Sequence, residues 1–145
     1  MQIGVKMAKV IERKRVFVVD DNEAFRAAIE FMLHDEYEAH ELASATETLA
    51  KAEQIRPDLL MLAEGVIRVN GLDLIQEFLA RVPETKIIVI VDQISSGFGQ
   101  ECVAEGAHGF LAKPLHIERL RDAVESLLSA RKKAVAIPRA VLNMR

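Results

Sequence analysis

PDLLMLAEGVIRVNG, the run from Pro57 to Gly71, decides how the rest of the chain is read. Leu59 to Leu62 is a short apolar run of the kind that forms a fully buried strand. The residues after it read as a loop that closes at Asn70-Gly71, with a helical pattern beginning there. In an α/β protein such a strand end is where chemistry is usually found. The first residue past the apolar run is Ala63, whose methyl group can neither attack, titrate nor bind a metal.

Working outward, the same strand-then-helix rhythm repeats on both sides. Val16 to Val19 is β-branched and aromatic, reads as a buried strand, and ends in Asp20-Asp21-Asn22. Asn22 is placed to cap a helix in which Phe25, Ala28, Ile29, Met32 and Leu33 form one apolar stripe. Tyr37 to Leu42 is more polar and reads as an edge strand. Ser44 to Glu47 fits a capping box opening a second helix, and Pro57 follows its end. After the central run, Leu74, Ile75, Phe78 and Leu79 mark a third helix, broken by Pro83. Ile87 to Val91 is apolar on both faces, as a strand covered by helices on both sides must be. Ser95 to Gly99 leads into a fourth helix through Glu105, with Gly106 as its C-cap. Gly109 to Ala112 is a fifth short strand, followed at once by Lys113-Pro114. Ile117, Leu120, Val124, Leu127 and Leu128 carry the fifth helix. Five β-α units predict a doubly wound α/β fold with one five-stranded parallel sheet.

Composition bounds the remaining choices. A chain of 145 residues, half hydrophobic and 28% charged, fits one globular domain with a real core. No stretch approaches the roughly 18 apolar residues of a membrane span, and the N-terminus has no apolar signal-peptide core. With a single cysteine, Cys102, an internal disulfide is excluded, and a cytoplasmic setting is expected. Residues 1–15 carry +4 and residues 131–145 carry +5, so the middle of this chain of net charge -3 carries -12. Such ends fit an acidic partner or nucleic acid, but they read more simply as solvated extensions. The expected division is an N-terminal extension at 1–14, a domain at 15–130 and a basic tail or linker at 131–145. Ile3, Met7, Val10 and Ile11 give the first segment a helix-like spacing.

Three features converge on the carboxyl ends of the strands: Asp20-Asp21 after the first, Ala63 after the third and Lys113 after the fifth. Adjacent acids at a strand end form either a helix cap or half of a hard-cation site, since magnesium takes oxygen ligands and keeps several waters.

With these residues in view, the chain resembles the receiver domain of response regulators in two-component signalling. The resemblance is carried by Val19-Asp20-Asp21-Asn22, Pro57 to Leu62, Asn70-Gly71-Leu72, Glu105 to Phe110 and Lys113-Pro114, and it covers about residues 15–130. It implies the strand order 2-1-3-4-5. It assigns Asp20 and Asp21 to a magnesium-binding acidic pair, Lys113 to contact with a phosphoryl group, and Phe110 and residue 91 to switching. The family's pattern then fails at two positions. Ala63 stands where the phosphoryl-accepting aspartate belongs, and Val91 stands where a serine or threonine belongs. Ile67 also replaces a proline common in that loop.

The resemblance therefore implies a pseudo-receiver: no enzyme, with weak or no magnesium binding at Asp20 and Asp21, and Lys113 free to neutralise that pair. It would act as an interaction module through its fourth helix, fifth strand and fifth helix, pairing with itself or a protein. A histidine kinase or an output domain are the partners implied; a membrane is not, and nucleic-acid binding by this domain alone is not expected. One alternative is a conventional phospho-receiver with an engineered acceptor position. The other is a flavodoxin-like domain that binds a small molecule.

Other signals read as structural. Glu64 and Asp92 read as solvated loop acids, Glu64 pointing to the opposite face if the strand continues through it. Gly97-Phe98-Gly99 lacks the third glycine of a phosphate-binding turn. His34, His40, His108 and His116 show no zinc spacing. Cys102 reads as a buried helix residue, with nothing near it in sequence to activate a thiolate.

Overall fold

The computed structural model of the protein describes residues 13–129. The apolar spacing before residue 13 and the basic tail from 131 lie outside the described residues. Strands β1 (Arg15–Val19), β2 (Glu38–Leu42), β3 (Leu59–Ala63), β4 (Lys86–Val91) and β5 (Gly109–Ala112) form one parallel sheet in the order β2-β1-β3-β4-β5. The helices are α1 (Glu23–Leu33), α2 (Ala45–Gln54), α3 (Glu64–Asn70), α4 (Asp73–Arg81), α5 (Phe98–Ala104) and α6 (Ile117–Ser129). A short 3-10 turn, Ile94–Ser96, precedes α5. The expected doubly wound α/β fold is what forms, with β2 at an edge.

Alternation along the strands sorts the core into two layers. Val16, Val18, Leu59, Met61, Ile88, Ile90 and Leu111 face α1 and α6, meeting Ile29, Leu33, Leu120 and Val124. Phe17, Leu60, Leu62, Val89 and Phe110 face the other way, against Ile67, Ile75, Phe78 and Cys102 of α3, α4 and α5. Every residue of β3 is buried, which is why that run has no polar side. Its entry is pinned by Asp58, whose side chain accepts from Arg15 N at 2.7 Å, and by Thr85, whose hydroxyl donates to Pro57 O.

The helix starts follow local chemistry. Asn22 accepts from Phe25 N at 2.9 Å and Ser44 accepts from Glu47 N at 3.2 Å, so both predicted caps form. Gly106 takes φ +120 at the end of α5, which few side chains tolerate. Gly99 matters for a different reason. A Cβ there would come within 2.3 Å of the Phe110 ring, so the absence of a side chain lets that ring pack close against α5.

One expectation fails. The segment after β3 is not a loop but the helix α3. Three local terms favour coiling. Ile67, where a proline would have disrupted the first turn, keeps its N–H. Glu64 and Arg68 pair at i,i+4, with Oε2 2.6 Å from Nε. Val66 and Ile67 are buried beneath the new turn. Gly71, at φ +94, ends the helix with its N–H on Ile67 O, and the following helix begins at Asp73 rather than at Gly71.

Candidate functional site at the strand ends

The carboxyl ends of β1, β3, β4 and β5 bring together Asp20, Asp21, Ala63, Val91 and Lys113. Asp20 follows β1 and is only 4% exposed. Its Oδ1 accepts from Asn22 N at 2.9 Å, while Oδ2 is buried with no hydrogen-bond partner among the described residues. Burial pushes the Asp20 carboxyl above its ordinary range; the Asn22 amide and the Lys113 charge pull it back, and Asp21 pushes it up again. Asp21 is exposed, and its Oδ1 lies 3.8 Å from where a Cβ on Gly65 would stand, so it sits beside the first turn of α3.

Ala63 ends β3 at 5% exposure, paired in register with Ile90. Val91 is fully buried at the end of β4, in register with Ala112, and Lys113 N continues that ladder to Val91 O at 3.0 Å. The Lys113–Pro114 peptide is cis. Phe110 is buried in β5, with its ring against α5.

Two side chains depart from the sequence reading. Lys113 does not settle on the Asp20-Asp21 pair. Its Nζ lies 3.2 Å from Asp92 Oδ1 and 4.1 Å from the centroid of the Phe25 ring. Asp92 begins the segment after β4, adjacent to Lys113 through the β4–β5 ladder, and it is open enough to take the ammonium without a desolvation cost. Glu64 is neither solvated nor on the opposite face. It is buried at 7% exposure, with Oε1 accepting from Asp92 N at 2.9 Å. The chain stops being extended at Ala63, so the alternation of side chains no longer applies beyond it.

The resemblance implies a metal at this pocket, and the donors present fall short of one. Asp20 and Asp21 supply carboxylates, but the third corner of the set is the methyl of Ala63. Among the described residues no group of three or more histidine, cysteine, aspartate or glutamate side chains could hold a metal ion. The remaining signals resolve as structural. His40 lies 2.6 Å from Glu38, two positions along the same edge strand β2, and Arg15 and His40 together hold the Glu38 carboxyl down at about 2. His108 is more than a loop residue, since its Nδ1 accepts from Ile87 N at 2.9 Å at the start of β4. Cys102 is fully buried, and desolvation pushes its thiol up to about 12. A cleft at the opposite, amino ends of the strands, lined in part by Lys14, Arg56, Asp58 and Lys86, shares no residue with this site.

A parallel sheet in this order, with two acids after β1 and a Lys-Pro after β5, defines a class of doubly wound signalling domain. The response regulator receiver domain family matches residues 16–125, and the chain belongs to that family. It is 27% identical over 120 residues to the DNA-binding transcriptional activator DevR/DosR of Mycobacterium tuberculosis, covering 81% of this chain and 55% of the relative. To the chemotaxis protein CheY of Thermotoga maritima it is 28% identical over 116 residues, covering 79% of this chain and 97% of the relative. The solved structure of NtrX from Brucella abortus superposes with a TM-score of 0.76 at 27% identity, over 84% of this chain and 28% of that one. The chain thus spans about half the length of the transcriptional activator and nearly all of the chemotaxis protein. Receiver domains of this kind work with histidine kinases and output domains in two-component signalling. No helix among the described residues is long and apolar enough to cross a membrane.

Proposed function

We propose that this receiver is a pseudo-receiver, a protein-interaction module whose activity does not depend on phosphorylation. The observation that carries the reading is Ala63, a buried methyl at the end of β3 where an aspartyl acceptor would have to stand. Forming an acyl phosphate requires a carboxylate oxygen as nucleophile, and residue 63 has none. Val91 supports the same reading, because a buried isopropyl group offers no hydroxyl to a phosphoryl oxygen. Asp20, Asp21 and Lys113 are then the remnant of the pocket, and Phe110 is a switch residue with nothing to switch it. In this reading the domain runs from 15 to 130, with an extension at 1–14 and a basic tail or linker at 131–145.

The working surface in this reading is α5, β5 and α6, used for self-association or a protein partner. Ile94, just before α5, and Ile117, the first residue of α6, are 38% and 40% exposed and supply apolar contact there.

The test is Ala63→Asp incubated with acetyl phosphate and magnesium. The phosphoryl group would pass to the new carboxylate and acetate would leave. The restored protein is expected to stay unlabelled, because Val91 and the Lys113–Asp92 pair remain. Robust labelling with a change in assembly would support instead a conventional receiver whose acceptor has been replaced.

A further inference from the structure

Glu64 is the side chain the family pattern does not account for. It opens α3, yet its side chain is 8% exposed and both of its oxygens are engaged. Oε1 accepts from Asp92 N at 2.9 Å and Oε2 pairs with Arg68 Nε at 2.6 Å. Asp92 N is the first backbone donor past β4, directly after Val91, at the end of the strand that neighbours β3. Arg68 in turn lies over the Phe98 ring, 4.1 Å from its centroid, at the first residue of α5. Asp92 meanwhile holds Lys113 at 3.2 Å. One carboxylate thus joins α3 to the end of β4, and its two partners carry the connection to α5 and to the end of β5.

A strand-end amide beside a lysine is a donor set for an oxyanion, since charge-assisted hydrogen bonds are about twice as strong as neutral ones. Here that amide already has an anion on it, supplied from within the chain. We propose that Glu64 is a built-in anionic ligand of the strand-end pocket. It occupies the Asp92 amide that an external oxyanion at residue 63 would need, and it holds the segment from Asp92 to Phe98 in one position. The helix α3 makes this possible. An extended residue 64 would point away from the site; coiling turns its side chain back toward β4, and Arg68 one turn later fixes it there.

This inference rests on the pseudo-receiver reading only for the identity of the pocket, and the two fail separately. The measurement is amide hydrogen exchange of the full chain, resolved by residue. In Glu64→Ala, the amides from Asp92 to Phe98 are expected to exchange about tenfold faster or more, as loss of a charge-assisted bond requires. Amides of β1 and β2 should stay within about twofold of the parent. Inorganic phosphate should slow Asp92 exchange again in Glu64→Ala and have no effect on the parent. Should Glu64→Ala open the whole fold, Glu64→Gln and Arg68→Ala supply the reading. Both should loosen Asp92 to Phe98 selectively, by smaller factors. Unchanged exchange at Asp92 in a folded Glu64 variant overturns the proposal, and failure of phosphate to restore protection overturns its anion-site part. Labelling of Ala63→Asp by acetyl phosphate would overturn the pseudo-receiver reading while leaving the exchange data to judge Glu64.

Discussion

Asp20 shows what a single buried carboxylate costs. Its carboxylate is buried, has one backbone donor on Oδ1, and is pushed above its ordinary range by desolvation. A group whose folded-state pKa is raised destabilises the fold wherever it is ionised. That penalty is present above the folded pKa and is relieved as pH falls through it. Asp20→Asn keeps an acceptor for Asn22 N and removes the buried charge. It is expected to raise stability at neutral pH by about 1 kcal/mol, and the gain should shrink as the pH is lowered into the carboxylate range. Urea melts at pH 7 and pH 4 check both parts; a loss of stability at pH 7 would show that the carboxylate has a partner worth more than its desolvation. Ala63 and Val91 could be picked out at this scale without geometry, because the resemblance says which side-chain oxygen belongs at each position. Glu64 could not, since its role depends on which way the chain turns after Ala63.

At the scale of elements, α3 is the departure that matters. The apolar run of β3, the stripe of α1 and the caps at Asn22 and Ser44 were all legible, because each is decided by residues within a few positions of one another. The stretch after β3 has no such dominant signal. Gly65, Val66 and Val69 are indifferent helix formers, and the coil is held by the Glu64–Arg68 pair and by the burial of Val66 and Ile67. The absence of a proline at 67 was visible; that absence permits a helix without requiring one. Ile67→Pro should undo α3 by removing its first full hydrogen bond and clashing one turn back, at a cost of about 3 kcal/mol. Circular dichroism should show lost helix, and the amides of Asp92 to Phe98 should lose protection as in the Glu64 variants. A variant with parent-like helix content would mean that α3 is held by its burial alone.

For the whole molecule, the sheet order, the two apolar layers and the strand-end pocket belong to the receiver family, and the chemistry left in that pocket is thin. Magnesium should stabilise the protein little, because two carboxylates and no third ligand hold a small octahedral ion poorly. Millimolar magnesium is expected to shift the melting temperature by less than about 2 °C in a thermal scan, since mass action stabilises only in proportion to occupancy of the folded state. A large, saturable shift would instead mean that waters or backbone oxygens complete the site.

The sequence alone determined the α/β class, the five β-α units and the buried central strand. Those are properties of composition and short-range pattern, and hydrophobic periodicity reports them without any knowledge of what lies across the sheet. Tertiary structure decided where the charges went. Glu64 bonds a backbone amide 28 positions away, Lys113 turns to Asp92 instead of Asp20, and the His108 ring accepts the amide of Ile87 21 positions back. Each choice follows from which strand ends are neighbours and where the chain stops being extended, and the spacing of residues along the sequence carries neither.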